Sequence, residues 1–323
     1  MVRRGRQALL AAGLALLAAI GVFAYGWYGS GPLAKEQPFL VRSGSSLRSV
    51  AADLQRAGAI RSADAFVLRA RVFGSTAPIK AGEFLLPEGA SASRILGILQ
   101  GSEVIRRFVT IPEGMPSIMV HERLMAEPLL TGDVPVPAEG TVLPESYDFE
   151  RGESRAAVLK RMQDAMSRTL AELWAKRAPG IAVKTPQEAV TLASIVEKET
   201  GKPSERRMVA GLYSNRVKQG MLLQADPTII YPITKGKPLG RRIRQSEIQA
   251  VNDYNTYTMT GLPKGPITNP GRDSIAAVLD PAKTSALYMV ADGTGGHAFA
   301  DTLEQHNANV QKWFALRRER GEM

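Results

Sequence analysis

The sequence contains no cysteine. Disulfides, zinc–thiolate sites and thiol nucleophiles are excluded at one stroke, while the redox compartment stays undetermined. Histidine is nearly as scarce. His121, His297 and His306 are the whole complement, and no two stand at a metal-ligand spacing such as H-E-x-x-H. That inventory argues against a metal site, and no cofactor is expected. Aromatic residues make up only 6% of the chain, and no basic cluster is interleaved with them, which argues against a nucleic-acid partner. Acidic residues are outnumbered, 31 against 41 Lys and Arg, for a net charge of +10. Arg3, Arg4 and Arg6 supply three of those charges, leaving +7 on residues 30–323 (38 basic, 31 acidic). Such an excess fits either a solvated basic surface or an anionic partner, such as lipid headgroups or an acidic polymer.

What the chain does have is apolar material. Hydrophobic residues account for 44% of 323, enough for a proper core. They are densest near the N-terminus, where no charge falls between Arg6 and Lys35. The run Ala8–Tyr28 spans about 31 Å as a helix, enough to cross a bilayer core. A cleavable signal peptide has an apolar region of about 7–15 residues, so this run reads as a retained anchor, with a removed signal peptide as the alternative. Trp27 and Tyr28 suit an interfacial aromatic belt. The arginines precede the span, which puts residues 1–7 in the cytoplasm and everything after residue 30 beyond the membrane.

Residues 29–38 (GSGPLAKEQP) have linker composition. From residue 39 the pattern reads strand, helix, helix, strand, helix, ending near residue 105. The first helix carries Leu47, Val50, Ala51 and Leu54 at helical spacing, with Gly58 at its end. Residues 106–323 form a larger region. RRFVTIPEGMP predicts a strand and turn, MVHERLMAE a helix, and AEGTVLPESYDFERGES a loop. A long amphipathic helix is expected over 154–178 and another from Pro186. A third should start at an N-cap, Ser204, and end at Gly220. QADPTIIYPI and YNTYTMTGLPKGPITNPG read as loops. RDSIAAVLDP predicts a short helix, ALYMVAD a strand, and the last helix starts near Asp301. The fold class is α+β: a transmembrane helix, a small β-α-α-β-α unit and a larger mixed α/β domain with long loops.

The stretch LASIVEKET (192–200) carries the chemistry. At 100° per residue, Leu192, Ile195 and Val196 lie about +20°, −40° and +60° from Glu199, which is therefore inside the apolar stripe. Glu197 falls about 160° away, near the polar edge, and is assigned a structural or electrostatic role. An acid on the inner face of a helix has its pKa raised by desolvation, as a general acid requires. A paired or frayed glutamate two residues before Gly201 is the plainer alternative. The later loops gather Gln224, Asp226, Asn255, Tyr257 and Asn269, with Tyr213, Tyr231 and Tyr254 as aromatic faces. Amides and rings on Gly/Pro-rich loops suit a sugar polymer, although asparagines also close turns for structural reasons alone.

Read together, IKAGEF (79–84), LPESY (143–147), ASIVEKET (193–200) and SNRVKQGMLLQADPTIIY (214–231) form an ordered set. YNTYTMTGLPKGPI (254–267), NPG (269–271) and GGHAF (295–299) extend it. This set resembles the YceG-like (MltG-type) endolytic murein transglycosylases from about residue 40 to the C-terminus. Two departures stand out: Glu145-Ser146 where the family more often has Asp-Thr, and Lys264 where a second proline is common. The resemblance implies a single-pass inner-membrane protein with a LysM-like subdomain at 39–105 and a periplasmic catalytic domain at 106–323. It implies cleavage within peptidoglycan glycan strands to leave 1,6-anhydro-N-acetylmuramic acid ends, in cell-wall assembly. Its catalytic acid, the second glutamate of V-E-K-E, is Glu199 here. Gln224, Asp226, Tyr231, Asn255 and Tyr257 are candidates for binding sugar or holding the acid. Association with peptidoglycan synthases is implied as well. The competing readings are a non-catalytic peptidoglycan-binding scaffold and a two-carboxylate muramidase using Asp226.

Overall fold

The computed structural model describes residues 2–322, with side chains described for Arg6, Gln7 and from Leu10 onward. Met1 and the side chains of Arg3 and Arg4, on which the expected orientation rests, lie outside what is described. The chain divides into two compact units, one up to Arg107 and one from Phe108 onward.

The first unit begins with α1 (Val2–Tyr28), whose stretch Leu10–Tyr28 is long and apolar enough to cross a membrane. Then come β1 (Gln37–Val41), α2 (Leu47–Arg56), α3 (Ala63–Phe73), β2 (Gly82–Leu86) and α4 (Ala92–Gln100), the order expected from the sequence. Each of the three short helices starts at a serine. Ser46, Ser62 and Ser91 accept the backbone N–H of Ser49, Ala65 and Arg94, satisfying one of the free donors of each first turn. The two strands pair antiparallel, with Phe39 opposite Phe84, and the helices close over them around Leu54, Phe66, Ile95 and Leu99. IKAGEF is explained by this packing. Gly82 has φ 143°, and a Cβ there would meet Val104 Cγ1 at 2.6 Å. Glu83 is buried, and Arg107 Nη1 donates to it at 2.5 Å.

The expected linker is not free. Gly31 N–H donates to Gly89 O at 3.0 Å, Gly89 N–H donates to Leu33 O at 2.9 Å, and Leu33 is buried. Trp27 departs from expectation too. It is 1% exposed, with its indole against Phe66 at 5.7 Å between ring centroids. A large ring beside an apolar core gains more by joining it than by standing at a membrane surface. Tyr28 does remain exposed.

The second unit runs β3 (Arg107–Thr110), α5 (Ser117–Ala126), β4 (Ser146–Phe149), α6 (Arg155–Ala175), α7 (Pro186–Glu199) and α8 (Arg206–Lys218). It continues with α9 (Asp226–Thr234), α10 (Gln245–Ile248), α11 (Arg272–Leu279), β5 (Tyr288–Ala291), β6 (His297–Ala300) and α12 (Leu303–Glu319). β3 pairs with β4 and β5 with β6. Part of the expected AEGTVLPESYDFERGES loop is thus strand, secured by Ile111 N–H to Glu145 O at 2.9 Å. The QADPTIIYPI loop is a helix, because Pro227 occupies its first turn, where no N–H is needed. Ser204 is not an N-cap but lies in a 3₁₀ turn, Pro203–Glu205, ahead of α8. The basic stretch 241–249 folds on itself, with Arg241 paired to Glu247.

The packing of Trp27 gives the first prediction. Trp27→Ala should cost the small unit about 3–5 kcal/mol, the usual range for emptying a large aromatic site. Amide hydrogen exchange across residues 39–101 of the full-length protein should accelerate by more than a hundredfold. Unchanged protection would mean that α1 adds nothing to that core.

Candidate active site

Helix α7 is wrapped by α6, α8, α9 and α11. Eight of its fourteen residues, Ala189–Val196, are buried in an unbroken run, so the middle of the helix has no solvent face. Ser194 Oγ accepts Ile267 N–H at 3.0 Å, which ties α7 to the loop before Asn269. Asn269 is itself fully buried. It donates to Met115 O at 2.9 Å and Ser117 Oγ at 3.0 Å, and accepts Val142 N–H at 3.1 Å. Its amide holds three loops together and does not face an opening.

Both glutamates of the last turn are enclosed, and the geometry corrects the expectation for Glu197. Its side chain is only 6% exposed. It accepts Gly271 N–H at 2.9 Å at the start of α11 and lies 3.8 Å from Arg206. Arg206 also reaches Glu113 at 2.8 Å and Asp273 at 3.3 Å. A wheel with one buried side misplaces Glu197 because neighbours surround α7. The acid meets instead the first turn of α11 and the Arg206 guanidinium.

Glu199 forms no ion pair among the described residues. Its Oε1 is sealed from solvent without a hydrogen-bond partner among the described residues. Tyr213, fully buried on α8, lies within hydrogen-bonding reach of the carboxyl group. Burial pushes the pKa up to about 7, and the charge of Asp226 adds to the rise. The Tyr213 hydroxyl and the Arg216 charge pull the other way without cancelling it. Arg216 is spent on backbone, donating to Leu287 O at 2.6 Å and Leu223 O at 2.8 Å.

Glu199 opens into a recess of about 360 Å³ lined by Tyr213, Arg216, Gln224, Asp226 and Tyr257, among others. Three of the five expected binding residues therefore meet there. Tyr257 Oη donates to Asp226 Oδ1 at 2.6 Å. Behind them a buried threonine pair locks the two loops, with Thr228 Oγ1 and Thr256 Oγ1 2.9 Å apart and Ala225 N–H donating to Thr256 at 3.0 Å. Gln224 takes a left-handed φ of 52° between these locks, its side chain exposed.

The other two do not line the recess. Asn255 is fully buried, its amide donating to Ile248 O at 2.9 Å and Ala250 O at 2.7 Å, so it shapes the turn that carries Tyr257. Tyr231 packs on Tyr254 at 4.8 Å and faces Glu139. Sequence reasoning missed Glu139. It accepts Ser117 N–H at 2.8 Å and the Asn269 amide at 3.3 Å, and burial lifts its pKa to about 7. It sits in a non-periodic segment, where burial leaves no sequence pattern; its place four residues before LPESY is the only hint.

The family model described as the YceG-like family matches residues 39–312. The chain is 26% identical over 336 aligned residues to a Bacillus subtilis (strain 168) protein named endolytic murein transglycosylase, covering 93% of this chain and 92% of that one. It is 28% identical over 353 aligned residues to a Streptococcus pneumoniae serotype 2 protein of the same name. That alignment takes in 92% of this chain but 63% of the pneumococcal one, so the chain spans less than two thirds of that relative. Its fold is similar to the crystal structure of a yceG-like protein from Listeria monocytogenes, with a TM-score of 0.54, 25% identity, and coverage of 85% and 98% of the two chains.

The raised pKa of Glu199 has a stability consequence. Below the ordinary value of 4.5 the group is protonated in folded and unfolded chains alike, and burial carries no ionic penalty. Between 4.5 and about 7 only the unfolded chain ionises, so the stability falls as pH rises and is lower by about 3–4 kcal/mol once the folded group ionises too, at ~1.4 kcal/mol per pKa unit. Glu199→Gln should therefore raise the thermal midpoint at pH 8 and leave it unchanged at pH 4, as followed by circular dichroism. An equal gain at both pH values would mean that ionisation is not the source.

Proposed function

This chain belongs to the YceG-like family, and from that premise we propose that it is a lytic transglycosylase that cuts peptidoglycan glycan strands internally. The observation that carries the reading is Glu199: a carboxyl group at the base of an open recess, with its pKa raised to about 7 by burial. Such a group holds a proton near neutrality and can give it up to a glycosidic oxygen.

In this mechanism protonated Glu199 donates to the oxygen between N-acetylmuramic acid and N-acetylglucosamine as the bond breaks. The substrate's acetamido group assists departure. Ionised Glu199 then takes the proton of the muramyl C6 hydroxyl, whose oxygen closes onto C1 to form the 1,6-anhydro ring. The proton count balances, no water enters, and one carboxyl group serves twice. Tyr213 orients the acid, while Gln224, Asp226 and Tyr257 meet the sugar. Asn255 and Tyr231 act at one remove, by supporting the loops. We read residues 39–105 as a LysM-like wall-binding subdomain, residues 106–323 as the catalytic domain, and α1 as a single-pass inner-membrane anchor with a cytoplasmic N-terminus. Association with peptidoglycan synthases belongs to the same proposal and rests on the family resemblance alone.

One observation favours a second reading. Asp226 lines the same recess as Glu199, so a two-carboxylate hydrolase with Asp226 as base or nucleophile is conceivable in chemical terms. Mass spectrometry of products from purified peptidoglycan separates the two. The transglycosylase leaves anhydro-muramyl ends, and Glu199→Gln abolishes them; activity declines as pH rises through about 7, where the acid loses its proton. Reducing muramyl ends, lost in Asp226→Asn, would establish the hydrolase. Absence of both products from the full-length protein would leave a binding role.

A further inference from the structure

The joint between α1 and the small unit raises a problem of length. The unit covers α1 from Phe23 onward: Phe23 and Phe73 rings lie 5.5 Å apart, Tyr28 and Phe73 5.9 Å, and Trp27 is buried. If the bilayer ended where the protein begins, the span would be Ala8–Val22. Those 15 residues make about 22 Å of helix, well short of the ~30 Å hydrocarbon core. The remainder of the core has to be filled by whatever stands beside residues 23–28.

α3 and α4 both pack there, and of the two it is α3 that carries exposed apolar side chains. Its inner face buries Phe66, Val67 and Ala70. Its outer face exposes Leu68 (54%) and Val72 (59%), with Phe73 at the edge. On α1, Val22 (71%), Tyr25 (67%) and Tyr28 (61%) are exposed at the same level. The two helices cross obliquely: Phe73 meets both Phe23 and Tyr28, and Arg69 stacks on Phe23 at 5.2 Å, while at the other end Phe66 meets Trp27 and Arg61 and Ser62 line a recess with Gly29 to Pro32. The C-terminal end of α3 is thus the deeper one, and Asp64 and Arg61 lie toward water.

Resting on the reading of α1 as a membrane span, we propose that α3 enters the outer leaflet beside α1. In this arrangement Leu68, Val72 and Phe73 contact acyl chains, and Arg61 and Arg69 stand at the phosphates. Arg69 is placed for this. Its guanidinium lies over Gly26, where a Cβ would come within 2.4 Å of it, and its buried Nε has no partner among the described residues. With Arg61, Tyr25 and Ser30 it lines a recess of about 320 Å³. A guanidinium on an apolar stem suits a lipid phosphate at the edge of hydrocarbon. Asp64, the acid on the exposed side of α3, sits a full turn toward water from Leu68. Arg71, at the deep end, turns instead toward Leu47 and Ser75 on the side of α2.

The absence of native cysteine makes the test direct. Full-length protein carrying Leu68→Cys or Val72→Cys is spin-labelled in nanodiscs containing phosphatidylglycerol, with Leu17→Cys as the label inside the span and Ala52→Cys, exposed on α2, as the label in water. Power saturation reads collisions with oxygen against those with a water-soluble nickel chelate. The proposal expects nickel accessibility at 68 and 72 to fall to the Leu17 level. Values at the Ala52 level would overturn it while leaving the anchor intact. A water-accessible Leu17 would overturn the anchor reading and the proposal together.

Discussion

A helix buried on every side cannot shift without disturbing everything around it. Over Ala189–Val196 α7 is such a helix, and the second unit is arranged by that constraint. Four helices pack on it, Ser194 bonds the chain at Ile267, and Glu197 holds the amide that opens α11. The last turn is therefore fixed in place before Glu199 is considered. An acid set there is desolvated by its surroundings and not by its own rotamer, which is what keeps its pKa raised. A reacting group needs that kind of support, with its geometry determined by residues that take no part in the chemistry.

The two glutamates, separated by one residue, show how different environments divide one residue type into two roles. Glu197 has a helix N-terminus and Arg206 beside it; Glu199 has Tyr213 and the carboxylate of Asp226. The first set ties one acid into the scaffold, and the second raises the pKa of the other. The loops repeat the division. Asn255 and Asn269 are fully buried and bonded to backbone, while Gln224, Asp226 and Tyr257 are turned into the recess by the Thr228–Thr256 lock. Composition alone cannot tell these two kinds of polar residue apart.

Periodic signals were legible in the sequence. The strand and helix order of the small unit, α6, α7 and α11 follow from apolar spacing and serine or proline start signals, and Glu199 follows from its place in an apolar stripe. Non-local facts were not legible. The wheel for α7 assumes one wet side, so Glu197 was placed at a polar edge that does not exist. α9 was hidden by Pro227 and Pro232, since prolines read as loop unless the first-turn position is recognised. β4 depends on pairing with β3, and Glu139 on a Ser117 amide 22 residues away. Trp27 was claimed by the membrane run because nothing local reveals Phe66 as its neighbour.

The link between α1 and the small unit differs from a tether. Trp27 inside the core and Leu33 pinned through Gly89 hold the apolar helix to the small unit at two points. A domain on a flexible leash searches over three angles, and each encounter with a partner must recover the orientation it lost. A domain fused to a spanning helix keeps one face toward the bilayer and can only spin about the membrane normal. With α1 as the proposed membrane span, the search of the small unit reduces from three rotational degrees of freedom to about one. Orientation becomes a property of the folded chain instead of an outcome of collision.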